Sequence, residues 1–387
     1  MTRTGQQRAL VGAKIFDGDV IKEGFAVILD GETIRSVLPE DTVPAGCPIV
    51  TLNGGLLTPG FIDVQVNGGG GLLFNNNPTI ETIGVIAKAH RQFGTTGFLP
   101  TLISDSFDTM RLACDAVQLA LQENTPGVLG VHLEGPFLNK KRKGVHDADF
   151  IRAFETEIFQ LMPEDSLGKN ILTLAPETLP SGTVRRLIEQ GLKVCAGHTA
   201  GTYEEIRAAL DEELSGFTHL FNAMTPMESR APGVVGAALE DDESYCGIIA
   251  DGFHIHPATL KVAIAAKKRG RMMLVTDAMP SVGSQHKAFK IYGQEIIVDG
   301  GRCTTRDGVL AGSDLDMIGA VRNCVDLLDL PLEEALRMAS LYPATFLQLD
   351  EELGRIGSSY RADLVHLSDD LVVQETWIRG ESEKHGL

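Results

Sequence analysis

The sequence predicts an α/β protein in which a (β/α)8 barrel, the TIM barrel, is joined to a small β-domain formed by both chain termini. From about residue 59 to residue 279, short apolar β-type segments alternate with amphipathic helical segments. Residues 8–57 and the tail around residues 354–380 show strand and turn patterns instead. The chain has 387 residues, which is enough for one large barrel and one small domain.

The N-terminal segment consists of short apolar stretches separated by turn residues. These stretches are "RALVGAKIFDG", "FAVILDGETIRSVLP" and "PIVTLNGG". With the β-rich tail they account for the small terminal domain, since both chain ends flank the barrel.

Eight apolar segments follow, and helical patterns such as "TIETIGVIAKAHRQF" and "TYEEIRAALDEEL" lie between them. The segments are "GFIDVQVNG", "GFLPTLIS", "GVLGVHLEG", "ILTLAPE", "LKVCAGHT", "GFTHLFNAM", "CGIIADGFH" and "MMLVTDAM". Eight parallel-type strands alternating with helices favour a (β/α)8 barrel. A doubly wound sheet would produce the same alternation.

The eighth segment is followed by "AFKIYGQEIIVDGGRCTTRDGVLAG", a glycine-bearing strand pair, and then by helices up to about Phe346. We therefore predict a barrel domain over residues 58–346 with a β-hairpin insertion near 286–312. Residues 1–57 and 347–387 would form the small domain.

Composition narrows the class of partner and the compartment. The formal charge of −18 argues against nucleic acid or an anionic membrane as a partner, and a phosphorylated substrate would need a local positive pocket. The N-terminus lacks the apolar run of a signal peptide, and no apolar stretch approaches the roughly 20 residues of a membrane helix. The six cysteines are scattered without a CxxC pair, so we expect free thiols in a reducing cytoplasm.

Several predicted strands end in ionisable residues, and active sites of these barrels lie at the carboxyl ends of the strands. The residues are Glu134, His198, His219, His254 and Asp277. Two imidazoles and a carboxylate that converge in a barrel mouth suit Zn²⁺ with one position left for water. Asp277 could then take the proton of that water.

Each residue also has a simpler interpretation. Glu134 could bond to its own loop amides, His198 and His219 could be buried histidines with satisfied ring nitrogens, and Asp277 could cap a helix. Four such strand ends together favour a shared site. The "HIH" run at 254–256 resembles a linear metal motif, but it also fits a loop with one substrate-facing histidine.

The ordered motifs resemble the N-acetylglucosamine-6-phosphate deacetylase family of the amidohydrolase superfamily. The resemblance covers about residues 54–345. It rests on "GFIDVQVNG", "LPTL", "HLEGPFLN", "KGVH", "LAPE", "AGHT", "THLFNAM", "GIIADGFH", "LVTDAM" and "GVLAGSDLDM". It implies the same TIM barrel and makes the terminal domain a β-sandwich. It also implies hydrolysis of the acetamide of N-acetyl-D-glucosamine 6-phosphate to D-glucosamine 6-phosphate and acetate.

The resemblance assigns roles to individual residues. It implies that Glu134, His198 and His219 bind metal, that Asp277 is the catalytic acid/base, and that His146 polarises the acetyl carbonyl and contacts substrate. Arg230 would bind phosphate and could reach the neighbouring active site of a homodimer. The other implied substrate contacts are Val145, Asn222, Ala223, His254, Leu310, Ala311 and Gly312.

The first strand bears on the number of metals. Asp63, Gln65 and Asn67 share one face of the strand by alternation. Many amidohydrolases hold a second metal with a His-x-His pair there, but neutral amides are poor Zn²⁺ ligands beside imidazole and carboxylate. We therefore expect one divalent metal per subunit. Zn²⁺ is the ion we favour, with Fe²⁺, Co²⁺ and Mn²⁺ as alternatives.

Other functions stay open at this point. The same chemistry on N-acetylgalactosamine 6-phosphate differs only by one inverted hydroxyl. A dihydroorotase-like cyclic amidase would need the first-strand histidine pair. A non-catalytic sugar-phosphate-binding barrel would be expected to have lost its ligands or its base.

Overall fold

A computed structural model describes residues 7–162 and 167–385. The first 59 residues contribute β1 (Arg8–Val11), β2 (Lys14–Phe16), β3 (Ile21–Lys22), β4 (Phe25–Asp30), β5 (Thr33–Pro39), β6 (Ile49–Thr51) and β7 (Leu56–Pro59). The next strands are β8 (Phe61–Val66), β9 (Gly68–Gly69), β10 (Leu72–Leu73), β11 (Thr95–Ile103), β12 (Gly130–Glu134), β13 (Lys169–Leu174), β14 (Lys193–Ala196), β15 (Gly216–Phe217), β16 (Tyr245–Ile248) and β17 (Met272–Leu274).

The remaining strands are β18 (Ala288–Ile291), β19 (Gln294–Asp299), β20 (Arg302–Thr305), β21 (Leu364–Leu367), β22 (Val373–Ile378) and β23 (Glu381–Lys384). The helices are α1 (Ile80–Arg91), α2 (Phe107–Gln122), α3 (Ile158–Leu161), α4 (Thr183–Glu189), α5 (Tyr203–Asp211), α6 (Gly233–Glu240), α7 (Pro257–Ala266), α8 (Met317–Asp326), α9 (Leu332–Ala339) and α10 (Leu341–Phe346).

Eight strands form one parallel sheet in chain order, from β8 through β11 to β17. A parallel bridge between Val66 and Ala278 connects the end of the first strand to the segment after the last. A doubly wound sheet reverses its strand order at a switch point, and this sheet does not. The predicted TIM barrel is therefore confirmed.

The two chain ends form two sheets separate from the barrel, and the larger sheet contains strands from both ends. One has the order β5-β4-β1-β6 and the other the order β23-β22-β21-β7-β2-β3. Side chains from both sheets meet in one apolar core, because alternate residues of each strand turn to the same side. Its members include Leu10, Val27, Ile34, Leu57, Leu364 and Trp377. The predicted β-sandwich of both termini is confirmed.

The insertion after β17 is larger than a hairpin. The antiparallel strands β18, β19 and β20 form a three-stranded sheet, and Gly300 and Gly301, with φ of 57° and 86°, make the second turn. Its apolar side chains pack with residues of the barrel mouth, including Leu73, Ile103 and Met279. Segments at the mouth of the barrel are thereby fixed to this sheet.

The chain divides into two compact units. The first comprises residues up to Asp63, His90–Gly97 and Met317 onward, and the second comprises Val64–Ala89 and Phe98–Asp316. The predicted domain limits at 57/58 and 346/347 stay a prediction.

All six cysteines are free, and five of them are buried. In the described part of the chain, no helix has the length and apolar character needed to cross a membrane.

Candidate active site

The ionisable residues predicted at strand ends lie at the carboxyl end of the barrel, within the second compact unit. Glu134 is the last residue of β12; His198, His219 and Asp277 follow β14, β15 and β17 within three residues, and His254 lies six residues after β16. His198, His219 and Asp277 have φ angles of 47°, 33° and 52°. Residues other than glycine rarely adopt such angles, and backbone strain of this kind is concentrated at functional sites.

Three side chains converge on one point. Glu134 Oε1 lies 3.0 Å from His198 Nε2 and 2.9 Å from His219 Nε2, and the two Nε2 atoms are 3.1 Å apart. All three residues are buried, with exposed fractions of 2, 5 and 4%. One oxygen and two ring nitrogens at these distances can serve as ligands of a single metal ion.

The protonation of His198 fits this role. Its Nδ1 lies 2.8 Å from the carbonyl oxygen of Arg142, so Nδ1–H donates there and Nε2 keeps its lone pair. Gly144 lets the loop approach the ring, since its φ is 54° and a Cβ there would lie 3.2 Å from His198 Cε1. The donor set therefore suits a divalent cation, and Zn²⁺ in particular, on chemical grounds.

Gln65 and Asn67 bind carboxylates next to this point. Gln65 Nε2 donates to Glu134 Oε2 at 3.1 Å and to Asp277 Oδ1 at 3.2 Å, and Asn67 Nδ2 donates to the same Oδ1 at 2.6 Å. Among the described residues, Oδ2 of Asp277 accepts no hydrogen bond. The two amides therefore fix the orientation of Asp277 and leave one oxygen available.

Burial and neighbouring charges shift the pKa values of these carboxyls in opposite directions. Burial, reinforced by the charge of Glu134, raises the pKa of Asp277 to about 6. Burial would also raise the pKa of Glu134, but its close contacts with the rings of His198 and His219 hold it well below its ordinary value. A cation at the three-ligand point would favour the ionised form of Asp277 as well. Paired acids with separated pKa values are typical of acid–base sites.

His146 is buried beside the three-ligand point, and its ring centroid lies 4.3 Å from that of His198. The backbone N–H of Ser104 donates to His146 Nδ1 at 3.2 Å, so the ring proton belongs on Nε2. Burial, and then the charge of His198, lower the pKa of His146 well below its ordinary value. His146 is therefore a neutral imidazole, and its Nε2–H is a hydrogen-bond donor.

A cavity of about 490 Å³ contains the site. Its lining includes most of the residues predicted from sequence. These are Glu134, Val145, His146, His198, His219, Asn222, Ala223, His254, Asp277, Leu310 and Gly312. The roles assigned to them stay predictions, because proximity alone does not establish a role.

Two predicted residues do not line this cavity. Arg230 is exposed, and Ala311 is fully buried with its N–H donated to the carbonyl of Cys303 at 3.1 Å. Their predicted contacts with substrate also stay predictions.

The sequence reasoning missed three cations of the cavity wall: Lys141, Arg142 and Arg302. The run "KKRKG" in an acidic chain could have indicated the first two. Arg302 gave no signal, because it lies far along the chain and reaches the cavity only through the three-stranded sheet. These cations give part of the cavity wall a positive charge.

Comparison with known proteins is consistent with this geometry. The amidohydrolase family model matches residues 56–382, and the NagA composite domain model matches residues 9–57. A relative named N-acetylgalactosamine-6-phosphate deacetylase, from Shewanella sp. (strain ANA-3), is 42% identical over 96% of this chain and 94% of its own length. A second relative, from Haemophilus influenzae, is named N-acetylglucosamine-6-phosphate deacetylase. It is 33% identical over 96% of this chain and 98% of its own length.

A solved structure agrees as well. The crystal structure of N-acetylglucosamine-6-phosphate deacetylase from Pasteurella multocida superposes with a TM-score of 0.94 and 34% identity, over 98% of this chain and 100% of that one. The family models together extend over both compact units. The chain therefore belongs to the amidohydrolase family.

Proposed function

We propose that this protein hydrolyses the acetamide of N-acetyl-D-glucosamine 6-phosphate, giving D-glucosamine 6-phosphate and acetate. The observation that carries the proposal is the three-ligand point of Glu134, His198 and His219, which shares one cavity with Asp277 and His146. An amide hydrolase needs a bound water, a proton acceptor and a donor for the carbonyl oxygen, and these residues are suited to those three tasks.

The three ligands would hold one divalent metal, Zn²⁺ first, with Fe²⁺, Co²⁺ or Mn²⁺ as alternatives. When bound, such a metal supplies Lewis acidity and lowers the pKa of its water. Two imidazoles and one carboxylate keep the centre net positive, which favours that chemistry.

Asp277 would act as general base and then as general acid. Its Oδ2 takes the proton of the attacking water, while Gln65 and Asn67 hold Oδ1. The same proton then passes to the leaving nitrogen, so that the amine departs as a neutral group. Burial raises the pKa of Asp277, and a cation beside it would favour the ionised form, so the carboxylate is suited to take the proton of the water and to return it to the leaving nitrogen.

His146 would donate from Nε2 to the acetyl oxygen of the substrate. The oxygen gains negative charge as water attacks, and a fixed donor in a buried site stabilises that charge by up to several kcal/mol. Ser104 keeps the donor on the correct nitrogen. The chain thus supplies both the proton acceptor and the oxyanion donor.

The phosphate would bind at the cationic part of the cavity wall. Lys141, Arg142 and Arg302 are candidates in the same chain, and a guanidinium suits phosphate through its forked donors. Arg230 would act from the partner subunit of a homodimer, because its own side chain is exposed and does not line this cavity. We further propose a cytoplasmic location.

N-acetylgalactosamine 6-phosphate is a second candidate substrate. The specific observation that favours it is the 42% identity to the Shewanella relative, against 33% to the Haemophilus one. Both sugars carry the same acetamide and the same 6-phosphate, so the chemistry is unchanged. A non-catalytic sugar-phosphate-binding barrel is disfavoured, because ligands and base are all present.

Acetate release from a panel of sugars tests the proposal. The panel contains both N-acetylhexosamine 6-phosphates and their unphosphorylated forms, with chelator-treated protein as the control. We expect rapid release from at least one phosphorylated sugar and little from the others. No release from either phosphorylated sugar by metal-loaded protein would contradict the proposal, and a preference for the galactosamine form would select the second candidate.

A further inference from the structure

His254 lies on the cavity wall in the loop after β16, with a carboxylate behind it. Its Nδ1 is 2.6 Å from Oδ2 of Asp251, and both side chains are about 95% buried, with exposures of 6 and 5%. Sequence reasoning gave Asp251 no role. The pair is separate from the three-ligand point, and its contact geometry allows a direct charge-assisted hydrogen bond.

The two oxygens of Asp251 have different partners. Oδ1 accepts the backbone N–H groups of Phe253 and His254, both at 2.9 Å, while Oδ2 faces the His254 ring. Burial would raise the pKa of Asp251, but the hydrogen bond from His254 lowers it overall. An ionised carboxylate only accepts hydrogen bonds, so His254 Nδ1 must carry the proton. That leaves Nε2 as the nitrogen available to a ligand in the cavity.

We propose that Asp251 is a positioning residue for substrate recognition: its Oδ2 accepts Nδ1–H of His254 and holds the ring so that Nε2–H of the protonated ring donates to the phosphoryl group of the substrate. This inference rests on the proposed hydrolysis of a sugar phosphate. It deepens that function by naming the residue that determines how the phosphoryl-binding histidine is held.

The neighbourhood of the pair favours a phosphoryl ligand over a sugar hydroxyl. The turn between β19 and β20 lies against Phe253, since a Cβ at Gly301 would be 3.6 Å from Phe253 Cε2. Arg302 is the first residue of β20, directly after this turn, and it lines the same cavity as His254. Among the described residues its guanidinium has no acidic partner. A guanidinium and a protonated imidazole ring, whose other N–H is held by a carboxylate, form a site for an anion.

Asp251→Asn is the informative variant, because an asparagine Oδ1 can keep both backbone hydrogen bonds while the ring loses its carboxylate acceptor. Asp241→Asn is the matched control. Asp241 Oδ1 accepts the N–H groups of Glu243 and Ser244 in the same kind of turn, and its Oδ2 faces Arg207 rather than a cavity histidine.

We expect Asp251→Asn to raise KM for the phosphorylated sugar, and Ki for inorganic phosphate as a competitive inhibitor, by about 10-fold or more, the effect of losing a hydrogen bond to a charged group. The expected change in kcat is less than about threefold, and Asp241→Asn should leave all three constants unchanged. In a His254→Gln background, Asp251→Asn should add less than about twofold, because neighbours that act through one contact are not additive.

Three results would overturn the inference. They are an unchanged Ki for phosphate, a full further loss in the His254→Gln background, or ¹⁵N NMR spectra in which His254 carries no proton on Nδ1. The spectra and the binding of inorganic phosphate need no turnover. If the wild-type protein releases no acetate, the proposed function fails, while these measurements still decide the role of Asp251.

Discussion

Gln65 and Asn67 occupy the positions at which the first strand would offer imidazoles to a second metal. Their amide NH₂ groups point at Asp277 and Glu134, and hydrogen-bond donors that face this way repel a second cation. A second metal would also need anionic or imidazole ligands to offset the charge of the first. The first strand therefore orients carboxylates, and the absence of a second metal there stays a prediction.

We predict one tightly held divalent metal per chain, measured by elemental analysis after mild dialysis. His198→Ala should abolish it, because one of three ligands is lost. His256→Ala is the control and should keep it, because His256 is exposed and its Nδ1 accepts the N–H of Ala258 at the start of α7. Two metals per chain, or loss in the control variant alone, would place the metal on other residues.

Asp277→Asn should lower kcat by about 10²-fold or more while leaving the metal content unchanged. An amide cannot accept the proton of the water, and Asp277 is not one of the three ligands. Metal analysis on the same preparation separates loss of the base from loss of the metal. A decrease of only a few fold would rule out the proposed acid–base role.

The sequence was sufficient to predict which residues meet at the site, but not how they are oriented. Residue type and strand-end position pointed to Glu134, His198 and His219. The proton on His146 Nε2 depends on a backbone N–H from Ser104, 42 positions earlier in the chain. Such a contact follows from the closed barrel and leaves no mark in local sequence.

At the scale of elements, the side chain of Tyr292 joins the three-stranded sheet β18–β20 to the segment that orients His146. The hydroxyl of Tyr292, in the turn between β18 and β19, donates to the carbonyl oxygen of Ser104. The N–H of the same residue donates to His146. Thr304 of this sheet also forms an antiparallel bridge with Leu310, which lines the cavity. Tyr292 therefore stabilises the backbone that orients His146.

Tyr292→Phe should lower kcat/KM for the phosphorylated sugar by about 2- to 12-fold, mainly through kcat, which corresponds to the 0.5–1.5 kcal/mol of one hydrogen bond. The ring contact with Phe150, at 5.8 Å between centroids, should remain. Tyr203→Phe is the matched control, because its hydroxyl bonds to Glu240 outside the cavity. Equal effects of the two substitutions would mean that the hydroxyl of Tyr292 has no specific role.

The sequence predicted where the barrel strands lie better than where they end. The apolar segment at 216–224 suggested a long strand, but β15 is only Gly216–Phe217. The ladder ends there because the chain turns into left-handed conformations at His219, Phe221 and Ala223. Local pattern does not indicate that conformation for these residue types, whereas apolar runs between turns do indicate a buried strand.

At the scale of the whole molecule, the charge of −18 has to be reconciled with an anionic substrate. Arg230 lies in an exposed segment, and Met227 beside it is 57% exposed. Exposed methionine and arginine side chains are enriched at protein–protein interfaces, so this surface fits contact with a second subunit. The homodimer with Arg230 in the neighbouring site stays a prediction.

Mixed dimers test this arrangement. An Arg230→Ala chain keeps its own Asp277, and a partner that carries Asp277→Asn still supplies Arg230, so mixing the two inactive variants should restore activity. The restored activity should approach that of one intact site in each mixed dimer.

Arg302→Ala is the control. Arg302 lines the cavity of its own chain, so mixing Arg302→Ala with Asp277→Asn leaves one defect in every site and should restore nothing. Recovery is measured as kcat/KM for the phosphorylated sugar in dimers whose mixed composition is verified by mass spectrometry. Absence of recovery in verified Arg230→Ala mixtures would mean that Arg230 acts in its own chain or not at all, and the cations of the cavity wall would then have to bind the phosphate alone.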